Sequence, residues 1–196
     1  WDIIGHQHQL LSLEQEIKEE KVAHAYLFIG PQQTGKHHIA RTFAQILQCP
    51  NGYCRQCDDC RQIEKRAHPD VVFMDDTGES IKIDEVRKII EKTHLSIQSR
   101  CRVMVIENIE RMPIEAQNSF LKILEEPPTR TIFILTTSEI DQVLPTIQSR
   151  TRRMRCSPKR EKRGCASSPA AVSRRSADRP PRRWSPPSRT RSGSPV

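Results

Sequence analysis

Four cysteines, Cys49, Cys54, Cys57 and Cys60, fall within twelve positions as C-x4-C-x2-C-x2-C. Four soft thiolates at that spacing suit tetrahedral zinc in a closed structural site, which leaves no coordination position for catalysis. A disulfide pair is the rival use of the same residues and requires an oxidising compartment. Just before them, Gly30-Pro31-Gln32-Gln33-Thr34-Gly35-Lys36-His37 fits G-x-x-x-x-G-K. Glycines let such a loop curl so that successive N–H groups face phosphate oxygens, and the lysine adds a cation. The next position ordinarily carries Ser or Thr, whose hydroxyl ligates the magnesium ion that bridges the phosphates. His37 has no hydroxyl. Further on, an apolar run ends in Glu107-Asn108, where a hydrolysing site needs one carboxylate for the metal and another to orient the attacking water. Glu107 can still reach a metal, but Asn108 cannot serve as a carboxylate base. The residues therefore predict ATP bound weakly or without hydrolysis, and they speak against magnesium. His37 and His38 read as solvated side chains at a helix start and His68 as a turn residue, none with catalytic work.

These groups need elements to hold them. Leu10, Leu13 and Ile17 recur at helical spacing, and Ala25-Tyr26-Leu27-Phe28-Ile29 is an apolar run suited to a buried strand leading into the glycine loop. Ile39, Phe43 and Leu47 mark one face of the helix after the loop, and Val71-Val72-Phe73-Met74 is a second strand. A helix over 84–93 is capped by Asp84. Val103-Met104-Val105-Ile106 forms a third strand, Pro113 opens a helix carrying Ile114, Phe120, Leu121 and Leu124, and Ile132-Phe133-Ile134-Leu135 forms a fourth. Strands alternating with helices predict an α/β domain with a mainly parallel sheet covered on both faces.

The chain of 196 residues is 35% hydrophobic, enough for one ordinary domain with a small appendage. No apolar run is long enough to span a membrane, and the first residues lack a signal-peptide pattern, so a cytoplasmic location is expected. The missing initiator Met points to a start inside a longer reading frame. The net charge of +8 suggests nucleic acid until it is divided by segment. Residues 156–196 hold 11 of the 32 Lys/Arg and 2 of the 24 Asp/Glu, leaving 21 against 22 in residues 1–155. No Leu, Ile or Phe follows Ile147. The Arg/Pro/Ser-rich segment 156–196, with Cys156, Cys165 and Trp184, is expected to be a disordered tail, and its abrupt composition is what a shifted reading frame would produce. Cys101 reads as a thiol at a strand edge.

The phosphate loop, the cysteine cluster, His68-Pro69-Asp70-Val71 and then Asn118-Ser119-Phe120-Leu121-Lys122-Ile123-Leu124-Glu125-Glu126-Pro127-Pro128 follow one another in an order that resembles the bacterial clamp-loader subunits of the AAA+ class. The resemblance covers residues 1–155 and implies a P-loop nucleotide-binding domain with an inserted zinc module at 49–60. It implies that the strand ending at Thr136-Thr137 senses the γ-phosphate. It also implies that Ser149-Arg150-Thr151 occupies the place of a Ser-Arg-Cys motif, with Arg150 as an arginine finger entering a neighbouring subunit's ATP site. Thr151 departs from that motif, and a literal Ser99-Arg100-Cys101 lies before the third strand. Such families contain ATP-hydrolysing gamma/tau motors and a delta-prime stator, and His37, Glu107 and Asn108 point to the stator. The implied assembly is the DNA polymerase III clamp loader, with gamma/tau and delta subunits, the sliding clamp and primed DNA as partners. The chain itself would lack ATPase activity while belonging to a DNA-directed DNA polymerase assembly. Relatives continue into a helical lid and a collar domain, which residues 156–196 do not resemble. The alternatives are a gamma/tau-type motor and a zinc-containing nucleic-acid-binding module using Arg55, Arg61 and Lys65. Against the second, Asp58 and Asp59 lie among those cations and aromatic stacking partners are scarce.

Overall fold

In a computed structural model the described residues are 5–75 and 81–157. Five strands, β1 (Ala25–Ile29), β2 (Val71–Met74), β3 (Arg102–Ile106), β4 (Thr131–Thr137) and β5 (Arg152–Arg155), form one sheet in the order β2-β3-β4-β1-β5. Every neighbouring pair is parallel. The connecting helices are α1 (Gln7–Lys18), α2 (Lys36–Gln48), α3 (Asp58–Glu64), α4 (Ile83–Thr93), α5 (Ile114–Glu125) and α6 (Pro145–Arg150). Parallel neighbours require crossovers, and crossover helices cover both faces.

Side-chain alternation divides the interior. Tyr26 and Phe28 of β1, with Val103, Val105, Ile132 and Ile134, face Leu10, Leu13, Ile39, Phe43 and Leu47 of α1 and α2. Ala25 and Leu27, with Met104, Ile106, Phe133 and Leu135, face Val86, Phe120, Leu124 and Ile147 of α4, α5 and α6. The central strands β1, β3 and β4 are largely apolar on both faces because both are buried. Edge-on ring pairs mark the two layers, Tyr26 with Phe43 at 5.0 Å and Phe120 with Phe133 at 5.3 Å between centroids. The Tyr26 hydroxyl donates to Glu16 at 2.8 Å, and Arg152 pairs with the same carboxylate at 2.7 Å, joining α1 to β1 and β5. Asp70 and Arg102 form a buried pair at 3.0 Å. Asp70 accepts from the Gln98 and Ser99 N–H groups, and Arg102 donates to the Thr93, Leu95 and Ser96 carbonyls. Both Asp70 oxygens and both terminal nitrogens of Arg102 are thus hydrogen-bonded, as the burial of a charge pair demands, and the pair fixes the Ser99-Arg100-Cys101 turn.

Several sequence expectations need correction. β5 was not foreseen. Its sequence Arg-Arg-Met-Arg turns only Met154 inward, and an edge strand needs no more. Asp84 does not cap α4. The helix begins at Ile83 after Lys82, whose N–H donates to Glu85, and Asp84 lies in the first turn. Pro113 precedes α5 as its cap residue, and Ile114 is 62% exposed, outside the apolar face. His68 is the turn residue expected, its carbonyl accepting from the Val71 N–H at 3.4 Å, but it is buried, and its Nδ1 accepts from the Asp70 N–H at 3.1 Å. Cys156 does not belong to a solvated tail: it is buried, and its N–H donates to the Ile29 carbonyl at 2.6 Å. Cys165, Trp184 and the remaining expectations for the tail lie outside the described residues.

Candidate functional site

Parallel α/β sheets place ligands at the carboxyl ends of their strands, and here that edge gathers the loop Gly30–His37, Glu107-Asn108 after β3 and Thr136-Thr137 at the end of β4. The loop joins β1 to the N-terminus of α2, whose dipole favours an anion. Two glycines are needed for different reasons. The Gly30 N–H donates to the Thr137 carbonyl at 3.1 Å, and a Cβ on Gly30 would lie 2.2 Å from the Cys156 carbonyl oxygen. Gly35 has φ +82°, a left-handed conformation that costs glycine least. Gln33 is also left-handed, at φ 61°, while Pro31 and Gln32 are exposed. Thr34 donates its hydroxyl to the Pro31 carbonyl at 2.9 Å, and His6 Nε2 lies 2.7 Å from the Thr34 carbonyl. Lys36 is buried, its Nζ donating to Ser138 Oγ at 2.9 Å and the Pro31 carbonyl at 3.3 Å.

The acid at the end of β3 has company that sequence reading did not anticipate. Glu107 Oε1 accepts from Arg41 Nε at 3.1 Å and Nη2 at 2.8 Å, and Oε2 lies 3.3 Å from His37 Nδ1. Burial alone would raise this carboxyl, but the hydrogen bond and charge of His37, then those of Arg41, outweigh it and hold it at about 2. His37 is therefore not a merely solvated helix-start residue. Its Nδ1 also lies 3.5 Å from Thr136 Oγ1, which accepts from the Asn108 N–H at 3.0 Å. Asn108 itself is left-handed at φ 50°. Thr137 Oγ1 accepts from the Glu139 N–H at 3.2 Å, so this threonine braces the turn after β4. Arg41 continues to Asp75 at 3.0 Å, and Arg66 pairs with the same carboxylate. The local signal for Arg41 was its spacing: it follows His37 by four residues and so shares its face of α2. Ser138 follows directly on the anticipated Thr136-Thr137, and its N–H donates to Glu110 at 2.9 Å.

The cysteines converge at the other end of α2. Their four Sγ atoms lie within 4.8 Å of one another, with Cys49 to Cys54 at 3.5 Å and Cys49 to Cys57 at 3.8 Å. Four sulfurs about 2.3 Å from a tetrahedral zinc are separated by about 3.8 Å, so the donor set fits such an ion. Cys54 Sγ accepts from the Cys57 N–H and Cys57 Sγ from the Cys60 N–H, bonds that orient metal-bound thiolates. The N–H groups of Gln56 and Cys57 draw the Cys54 thiol down to about 6, whereas burial pushes Cys60 up. α2 has 13 residues from Lys36 to Gln48, which sets the cluster about 20 Å from the phosphate loop. A metal there would staple the chain between α2 and α3 and take no part in phosphate chemistry.

Arg150 stands apart from both. It ends α6, pairs with Glu125 at 2.8 Å and donates to the Thr146 carbonyl at 3.1 Å. β5 begins two residues later, with Arg152 in register with Tyr26, whereas the phosphate loop starts after Ile29. Along a parallel pair this places Arg150 at the amino edge of the sheet and the loop at the carboxyl edge, more than about 10 Å away at 3.3 Å per residue.

Residues 5–160 match the family described as DNA polymerase III, delta subunit. DNA polymerase III subunit gamma of Buchnera aphidicola subsp. Acyrthosiphon pisum is 36% identical over 154 residues, covering 76% of this chain and 42% of that one. Subunit tau of Bacillus subtilis is 34% identical over 157 residues, covering 78% and 28%. Among solved structures, a DNA polymerase III gamma subunit-related protein from Thermotoga maritima superposes with a TM-score of 0.60 at 27% identity, over 78% of this chain and 47% of that one. The Thermotoga maritima RuvB Holliday junction branch migration motor shares the fold, with a TM-score of 0.50 at 17% identity over 79% and 45%. The chain thus spans less than half the length of these relatives. With the phosphate loop, the parallel sheet and the family match agreeing, this chain belongs to the clamp-loader family of AAA+ proteins, among the subunits of DNA polymerase III.

Proposed function

We propose that the chain serves a DNA polymerase III clamp loader as a subunit whose own phosphate loop does not turn ATP over. The observation that carries this reading is the engagement of Glu107 by Arg41 and His37, next to an asparagine where the water-orienting carboxylate would stand. A carboxylate with both oxygens committed to protein side chains is a poor metal ligand, and an amide is no general base. The narrower form of this reading is the delta-prime stator. In it Arg150 stabilises phosphoryl transfer in a neighbour's site, gamma/tau and delta subunits flank the chain, and the assembly opens the sliding clamp on primed DNA. The position of Arg150 at the sheet edge opposite its own loop supports service in trans. The Cys49, Cys54, Cys57 and Cys60 cluster takes zinc in a structural role.

A second reading, an ATP-hydrolysing gamma/tau motor, has its own support: the curated relatives carry gamma and tau names at 31–36% identity, which favours the motor over the stator at the level of similarity. Turnover separates the two. The full chain incubated with ATP and magnesium should release no phosphate above a protein-free blank, alone or with partner subunits whose own loops are inactivated. Phosphate release that Lys36→Ala abolishes would establish the motor instead.

A further inference from the structure

A phosphate-bound magnesium ion needs a hydroxyl after the loop lysine and a carboxylate able to receive the ion or its waters. Neither is available. His37 stands at the hydroxyl position, and Glu107 has Oε1 committed to two Arg41 N–H groups and Oε2 to His37 Nδ1. Among the described residues, two other acids lie nearby. Asp75 is paired with Arg41 and Arg66, and Glu110 accepts from the Ser138 N–H through Oε1, its buried Oε2 being left without a hydrogen-bond partner. What remains facing a phosphate is positive: buried Lys36, held within reach by the Pro31 carbonyl and the Ser138 hydroxyl, and the N-terminus of α2.

Deepening the reading of this loop as a nucleotide site without turnover, we infer that it takes a nucleoside di- or triphosphate as the metal-free anion, with the Arg41 guanidinium standing where the ion's charge stands in a hydrolysing relative and His37 at the place of the hydroxyl ligand. Electrostatic neutrality of the cluster is met by side chains, so an added divalent cation would have to displace Arg41 from Glu107 to bind. That exchange removes a two-bond, charge-assisted contact and yields a site lacking the hydroxyl ligand. A nucleotide held this way is not set up for hydrolysis, because no ion neutralises charge as it develops on the departing phosphate. The ligand then acts by occupancy, filling the loop and ordering the strand ends around it.

Calorimetric titration of the full chain with ATP and with ADP, once in magnesium and once in EDTA, tests this. The expected dissociation constants agree within about two-fold between the buffers. Glu107→Gln, which removes one negative charge beside the phosphates, is expected to tighten ATP by about three-fold in both. Three results would overturn the inference: magnesium tightening wild-type ATP by about ten-fold or more, Glu107→Gln weakening ATP only in magnesium, or neither nucleotide binding in either buffer. If far-ultraviolet circular dichroism shows Glu107→Gln unfolded, the wild-type comparison decides alone. Failure here is distinct from failure of the functional reading. Phosphate release together with magnesium-indifferent binding sinks only that reading, and magnesium-dependent binding without phosphate release sinks only this inference.

Discussion

Glu107 offers a quantitative check on the site, because its ionised state is maintained by named neighbours. The carboxyl is lowered from an ordinary 4.5 to about 2. A carboxyl depressed on folding contributes stability that is present above the unfolded value and is lost as pH falls through the folded one. Over about 2.5 pH units at 1.36 kcal/mol each, the full contribution at pH 7 is about 3 kcal/mol, and roughly 2 kcal/mol of it is gone by pH 3. Glu107→Gln removes the titrating group and leaves the carboxylate of Asp75 to hold Arg41. Urea unfolding of wild type and variant at pH 7, 5, 4 and 3 isolates the effect, since every other group titrates in both proteins. The wild type should be the more stable at pH 7, with the gap closing below pH 5 by about 2 kcal/mol. A gap constant from pH 7 to pH 3 would refute the arrangement of Arg41 and His37 around this acid.

Three further outcomes are expected. Arg150→Ala, assembled with cognate partner subunits, should slow ATP turnover at the adjoining subunit's site by about three orders of magnitude. Its own melting temperature should move little, because the half-exposed pair with Glu125 contributes at most about 1 kcal/mol; unchanged DNA-stimulated turnover would remove Arg150 from the mechanism. Stripping metal from the purified chain with a zinc chelator should release one zinc per chain and lower the melting temperature by about 10 °C, a loss of about 3 kcal/mol. Metal analysis that finds no zinc before treatment contradicts it. Gly30→Ala brings a Cβ to 2.2 Å from the Cys156 carbonyl oxygen and should cost about 1–3 kcal/mol by urea denaturation. An unaltered midpoint would mean that β5 does not leave the sheet over this glycine.

What could be read from the sequence was local. β1 and β2 match their apolar runs residue for residue, β1 because nearly continuous burial leaves a continuous apolar signal, and β2 although only Val71 in it is fully buried. The cysteine cluster was legible for a related reason: C-x2-C spacing lets a turn and the first turn of α3 bring thiols together without help from distant chain. β5 was not legible, since its place depends on pairing with β1, about 125 residues earlier, and three of its four residues are arginines that point away from the core or along its edge. His37 was read as solvated because a histidine at a helix start has no local partner; Glu107, which engages it, arrives from another strand. Asp70, read only as part of a family signature, proved to bind the Gln98 and Ser99 backbone and Arg102, contacts that no spacing rule exposes.

The direction of the sheet has a geometric consequence for assembly. All five strands run the same way, so the phosphate loop and Arg150 occupy opposite rims, and on the proposed reading they differ in kind: one would be a socket, the other a plug. Two copies related by a twofold axis would set socket against socket. Matching plug to socket instead requires a head-to-tail contact, which closes into a ring or continues as a helix. In such a ring a subunit with an inert socket and a sound plug still completes the circle, and it gives the circle a unique position from which the other subunits can be counted.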